Sequence, residues 1–301
     1  MKSLSRLLCS ALLCLSLFAS IAVAQAEKIA VRIVPKPNQT ATLKIGQDVE
    51  IEIRFEGEMP PQMAAMNPMK MLMKTQTTIT QRTSAIDSQG RLEMELTYNK
   101  IESEMTMNGQ TIPLNLNDEL AGKKIRAVYD QKGELVDFLL PPDDVLPKET
   151  FTELLKSIYG SLPTEPMAIG DAVTIPLTQN FPLPVPGAGT LNLVGDAKVK
   201  LTAITKEGAT RIATFDQTVT AKMANTTEVP GPTGQKAKMK LDFKMSGSGN
   251  CAVNLDKGLV KTSEMVTKLE GKMTAAENAN ASPMPNLSLV GTIKATVVNV
   301  N

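Results

Sequence analysis

The chain has 301 residues, 32 Lys and Arg against 31 Asp and Glu, three cysteines and no histidine. A balanced charge leaves no basic field to gather nucleic acid or anionic lipid. The lack of histidine excludes Ser-His-Asp triads, Cys-His nucleophile pairs and His-ligated zinc.

Residues 1–26 read as a secretory signal. Lys2 and Arg6 give a positive start, an apolar run follows from Leu7 to Val23, and Ala24-Gln25-Ala26 offers small residues for cleavage. The rival reading is an uncleaved anchor, for which the run is short. Cys9 and Cys14 each follow a bulky Leu, which disfavours lipid attachment there. Export to the periplasm, the cell surface or the medium is therefore expected. The remainder, about 275 residues, can bury one large core or two smaller ones, and holds no second apolar run of membrane-spanning length. Cys251 is then the one cysteine left, so no internal disulfide forms. It shares a strand face with Val253 and Leu255, which predicts a buried, inert thiol.

From there period-two alternation dominates. In "DVEIEIRFE", Val49, Ile51, Ile53 and Phe55 point one way while Glu50, Glu52, Arg54 and Glu56 point the other, as in a strand with one wet face. The same pattern runs through Leu92 to Tyr98, Met239 to Met245, and Met265, Leu269 and Met273. Gly-containing turns punctuate it, for example "DSQG" at Asp87 and "LDKG" at Leu255. A phase change near Asn99 and Lys100 predicts a bulge.

Between the first two strands lies "EMPPQMAAMNPMKMLMK", Glu58 to Lys74, which holds Met59, Met63, Met66, Met69, Met71 and Met73. Pro60, Pro61 and Pro68 forbid one long helix, so a folded-over loop is predicted. Methionine makes adaptable contact surfaces, and this segment is read as one side of a binding surface for an apolar ligand or partner, or as apolar filler packed on its own sheet. A third reading is Cu(I) held by thioethers, since soft sulfur suits the soft ion, although no His or Cys reinforces it.

Near mid-chain, "PPDDVLPKETFTELLKSIYG" departs from the alternation. Phe151, Leu154, Leu155 and Ile158 fall at i, i+3, i+4 and i+7, which predicts a short amphipathic helix over 147–160. Asp143 and Asp144 precede it; helix capping is the simpler reading, a general acid–base pair or a calcium site the sharper one.

That helix divides two similar halves. "KIGQDVEIEI" resembles "AIGDAVTIPL", pairing Gly46 with Gly170; "SAIDSQG" resembles "TAITKEG", pairing Gly90 with Gly208; "NGQ" resembles "TGQ"; "DQKGELV" resembles "LDKGLVK". The expected organisation is a first β unit over 27–146, the helix, and a second β unit over 161–301, whose last strand lies near 287–300. The counterpart of the methionine segment is "NFPLPVPGAGTLN", Asn180 to Asn192, with Phe181, Leu183 and Val185. If pseudo-symmetry relates the halves, both segments rim one mouth or one contact surface.

Leu162, Pro163, Pro166, Gly170 and Asp171 form an "LP-x-x-P-x-x-x-GD" element. With the leader, the hairpin after it and the late "D-x-K-G", the pattern resembles an uncharacterised family of exported bacterial proteins and lipoproteins of about this length. The resemblance implies a β-rich envelope protein with no assigned activity.

The expectation is thus a mostly β fold of two pseudo-repeated antiparallel units, a sandwich or an open half-barrel. It would be a non-enzymatic envelope protein without a cofactor. It would bind a lipid, another apolar small molecule or an envelope protein, but no nucleic acid. The main alternative is an assembly module that recruits partners by its strand edges.

Overall fold

The computed structural model of the protein describes residues 28–29, 36–57, 64–65, 67–114, 116–131, 135–139, 165–182, 190–230, 236–275 and 286–300. The signal expected over 1–26, the helix expected over 147–160 and the Asp143-Asp144 pair lie outside these residues. Twelve strands follow in chain order: β1 (Thr40–Glu56), β2 (Met69–Thr83), β3 (Leu92–Met107), β4 (Gln110–Pro113), β5 (Lys124–Tyr129), β6 (Leu135–Leu139), β7 (Ala172–Pro182), β8 (Thr190–Glu207), β9 (Thr210–Pro230), β10 (Lys236–Asn254), β11 (Leu259–Ala275) and β12 (Asn286–Asn299). A five-residue helix, α1 (Leu116–Leu120), was not legible in the pattern. Among the described residues no helix is long and apolar enough to cross a membrane.

The strands make one open antiparallel sheet in the order β6-β5-β3-β2-β1-β12-β11-β10-β9-β8-β7, with β4 beside β3. The mostly β expectation therefore holds, in its open form rather than as a sandwich. The two halves are joined edge to edge. β12 pairs with β1 from Leu43↔Asn299 to Glu56↔Asn286, so the last strand sits in the middle of the sheet.

Turn chemistry fixes the hairpins. Asp87 Oδ1 accepts from the backbone N–H groups of Gln89 and Arg91, both at 2.8 Å. Asn108 and Gly109 join β3 to β4 with φ of 47° and 84°, a left-handed pair that Asn-Gly tolerates best. Gly90 and Gly208 both turn the second strand of a half into its third, which matches the expected repeat. Gly46 and Gly170 do not correspond as expected. Gly46 lies inside β1, whereas Gly170 turns the chain ahead of β7. The predicted bulge is present: Thr78 faces Lys100 and Ile79 faces Tyr98, which leaves Asn99 as the extra residue of β3.

In the first half β4 and β5 divide β3 between them. β4 pairs with Glu104–Met107 and β5 with Leu92–Thr97. The gap between them is filled from the α1 segment. Asn117 Oδ1 accepts from Ile101 N–H at 2.9 Å, and Gly122 N–H donates to the Tyr98 carbonyl at 2.7 Å. Buried backbone groups are thus satisfied where strand pairing lapses.

Two buried clusters occupy the end of the sheet near the β2–β3 and β8–β9 turns. One joins Ile29, Met167, Val199, Leu201, Ala213, Phe215, Cys251 and Val253; the other joins Leu92, Met94, Ile125, Ala127, Tyr129 and Phe138. Ile29 is tied to the chain ahead of β7 by a reciprocal bridge with Met167, at 2.9 and 2.8 Å. Thr83 is the buried polar member of this end. Its Oγ1 donates to the Lys36 carbonyl at 2.6 Å and accepts from Gln39 N–H at 2.8 Å. Thr83→Val keeps the shape and orphans both groups, so urea unfolding should show a loss of about 1–3 kcal/mol.

Charged side chains line the opposite face. Glu95 on β3 meets Lys124 Nζ at 2.9 Å and Arg126 Nε at 3.4 Å on β5. The hydrogen bond from Lys124 is the main cause that holds the Glu95 carboxyl below its ordinary range. Asp256 is held low as well, chiefly by the Arg211 backbone N–H. A carboxylate whose folded pKa is depressed stabilises the fold above its unfolded pKa, and that contribution disappears as pH falls through the folded value. The thermal midpoint should therefore drop as pH falls from about 5 towards 3. Glu95→Gln should make that drop shallower.

Candidate functional site

Alternation along each strand sends every second side chain to the face that carries the two cores. Towards the other end of β3, β2, β1, β12 and β11, where the β1–β2 and β11–β12 connections leave, this face stays apolar but is no longer closed, although Met239 and Leu241 of neighbouring β10 are buried there. Ile51, Ile53 and Phe55 of β1 face Gly291, Leu289 and Leu287 of β12. On one side Met69 and Met71 of β2 lie opposite Ile53 and Ile51, and Met73 opposite Val49. Beyond them Met107 and Met105 of β3 pair with Met71 and Met73. On the other side Met273 and Leu269 of β11 pair with Leu287 and Gly291. Except for buried Val49 and Gly291, all of these residues are half-buried, in contrast with the fully buried clusters at the far end.

Two asparagines build the Met-rich corner. Asn67 extends the β1 ladder with its side chain: Phe55 N–H donates to its Oδ1 at 3.1 Å, and its Nδ2 donates to the Phe55 carbonyl at 3.0 Å. Asn108 Oδ1 accepts from Lys70 N–H at 2.8 Å, and Asn108 N–H donates to the Lys70 carbonyl at 2.9 Å. β2 is thereby fixed from Met69 onward. The predicted loop is corrected here: Met69, Met71 and Met73 are strand residues, because their alternation with Lys70, Leu72 and Lys74 suits a pleat with one wet face.

Met59, Met63 and Met66 lie outside the described residues, as do Leu183 and Val185; Phe181 belongs to β7. The connections that hold these segments leave the same end of the sheet. They do not adjoin along it. β7 and β1 are six strands apart, about 29 Å at the usual spacing. The expected convergence of the two segments on one mouth involves residues outside the described ones; the described residues form a broad strip across the middle of the sheet. Met105 and Met107, and the β11 and β12 residues beside Ile51 and Phe55, were not singled out by sequence reasoning. "EMTMN" repeats the Met-x-Met spacing of Met71 and Met73, and that was the available signal.

Glycines shape the sheet beside the strip. A Cβ on Gly249 would lie against the Glu264 carbonyl oxygen and 2.8 Å from Met265 Cα; one on Gly195 would lie 2.6 Å from Ala221 Cα. Neighbouring strands come this close only where the sheet bends towards the glycine's own face. The Phe243 ring occupies the space over Gly271.

Reactive groups are few. Cys251 is buried in a core, and burial pushes its thiol up, so it carries little thiolate. Asp171 is a turn residue: its Oδ2 accepts from Ala168 N–H at 2.9 Å. Among the described residues no His, Cys, Asp or Glu cluster could hold a metal ion. Shallow grooves on the opposite face are lined by Glu50, Glu52, Arg54 and Val290, with Arg54 bonded to Glu52 at 2.6 Å. Exposed ion pairs of this kind mark a solvated face.

No protein family and no curated protein matches this chain. Among solved structures the chain is similar to lipovitellin, in a structure titled for its lipid–protein interactions, at 8% identity and a TM-score of 0.46. The match covers 88% of this chain and 25% of that one, so the chain spans about a quarter of the length of the protein it resembles.

Proposed function

We propose that this protein is exported to the cell envelope and holds an apolar ligand, of the lipid class, against the strip formed by β3, β2, β1, β12 and β11. One observation carries the reading: on β1, β2 and β3 the sheet face is buried towards the β2–β3 turn and only half-buried towards the β1–β2 connection. Both ends are apolar, and they differ in cover. Each apolar side chain that a ligand covers adds on the order of 1.5–3 kcal/mol if it goes from exposed to buried, and about half of that from a half-buried start. Methionines suit such a surface, because unbranched thioethers repack around ligands of differing shape.

Recruitment of partners by strand edges is the weaker reading. β6 at one edge has five residues, and β7 at the other carries Pro176 and Pro182. Short strands and prolines blunt an edge against further pairing. A non-catalytic role fits the side-chain set, in which the usual proton-transfer group is missing.

The experiment is native mass spectrometry of protein purified from its source, with a hydrophobic dye titration alongside. Bound lipid and a dye signal that falls at least about tenfold in affinity in Met73→Asp and Leu269→Asp are expected, since each buries an unpaired charge on the strip. Carriage of no lipid, with dye binding unchanged in both variants, would overturn the proposal.

A further inference from the structure

The strip carries a second feature that apolar burial does not use. Along β1, β2 and β12, the positions that share a face with Ile51 and Met71 hold no Asp, Glu, Lys or Arg among the described residues. On that face one lane is polar on each of β3, β2 and β1. Ser103, Thr75 and Gln47 stand side by side on β3, β2 and β1, and Ala295 follows on β12. Thr75 Oγ1 and Ser103 Oγ are 3.0 Å apart, and Gln47 is exposed.

The lane separates the two ends of the face. On one side lie the closed cores, on the other the half-buried strip from Val49 to Phe55. From Val49 to Phe55 a strand rises about 20 Å. One acyl chain spans about 15 Å, half the thickness of a bilayer's hydrocarbon core. A chain laid along β1 and β2 therefore fits between the lane and the open end.

Resting on the lipid-binding reading above, we infer that the ligand is an amphiphile with an uncharged, hydrogen-bonding head, such as a glyceride ester or hydroxyl. Its head sits on the Gln47, Thr75 and Ser103 lane and its chain on the methionine strip. The amide of Gln47 offers two donors and an acceptor, and each hydroxyl offers one donor and two acceptor sites. These match esters and alcohols. A phosphate or ammonium placed there would lose its water beside a face without any counter-charge, which costs several kcal/mol. Ala295 next to Gln47 leaves room for a head where a longer side chain would fill the lane.

The test is competitive lipid loading. The full-length protein after export is incubated with vesicles that hold equimolar diacylglycerol, phosphatidylethanolamine and phosphatidylglycerol, recovered, and its bound lipid quantified by mass spectrometry. Diacylglycerol should exceed phosphatidylglycerol about tenfold, and a Gln47→Leu, Thr75→Val double variant should cut that preference at least threefold while the total lipid bound is retained, the discrimination of roughly 1.4 kcal/mol having gone with the lane. Equal loading of the two lipids, or a preference that the double variant leaves intact, would overturn the inference while leaving lipid binding itself standing. No lipid bound by either form would remove both.

Discussion

Leu201→Ala is expected to lower the unfolding free energy by about 3–5 kcal/mol, read from the urea midpoint at constant slope. Leu201 is 0% exposed and packs with Val199, Phe215, Cys251 and Val253. Removing its branched end takes away the transfer energy of the lost methyl groups and leaves a cavity. That cavity cannot collapse readily, because its walls are rigid strands on several sides. Val194, on the same strand, is 57% exposed and points to the other face. Val194→Ala should move the midpoint by less than about 0.5 kcal/mol equivalent. If the two variants behaved alike, the assignment of faces along β8 would be wrong, and with it the site.

The second large effect belongs to a glycine. Gly249→Val should cost at least about 3 kcal/mol, at the upper end of what overpacking does. A side chain at this position meets backbone of β11, the Glu264 carbonyl and Met265 Cα, and not the movable end of another side chain. Relief therefore requires β10 and β11 to part. The neighbouring Ser248 is exposed and points the other way, so Ser248→Val should change stability by less than about 0.5 kcal/mol. Two adjacent substitutions to the same residue with effects this unequal test the bend directly. Limited proteolysis should cut β11 in Gly249→Val before it cuts β12.

Much of the fold was legible residue by residue. Alternation in "DVEIEIRFE" marks β1, the Asn99 bulge follows from a phase change, and the buried state of Cys251 follows from its neighbours Val253 and Leu255. Such features depend on contacts within a strand or across one hairpin. The partnership of β1 with β12 does not. Ile51 meets Gly291, 240 positions further along the sequence, and no local pattern encodes that choice. The apolar strip was missed for the same reason: its members lie on five strands, and only the sheet order lays them side by side. Pro60, Pro61 and Pro68 point to a loop for Met69, Met71 and Met73, whereas the alternation that begins at Met69 points to a strand. Pro68 in fact stands just before β2 begins, where a proline costs the ladder nothing. The polar lane was legible in part, since Gln47 breaks the apolar run of β1. Its significance depends on Thr75 and Ser103, which the register supplies.

The central place of β12 also dictates an order of events during biosynthesis. β1 leaves the ribosome early and finds β2 at once through a local hairpin. Its other long edge, from Leu43 to Glu56, waits until residues 286–299 have been made. For most of translation the nascent chain thus carries an unpaired, partly apolar strand border, the kind of border that attracts foreign strands. Closing it joins segments far apart in the chain, which makes late folding slow. A chain cut short before β12 would keep that border for good, so the quality of the finished sheet depends on the last fourteen-residue strand more than on any other.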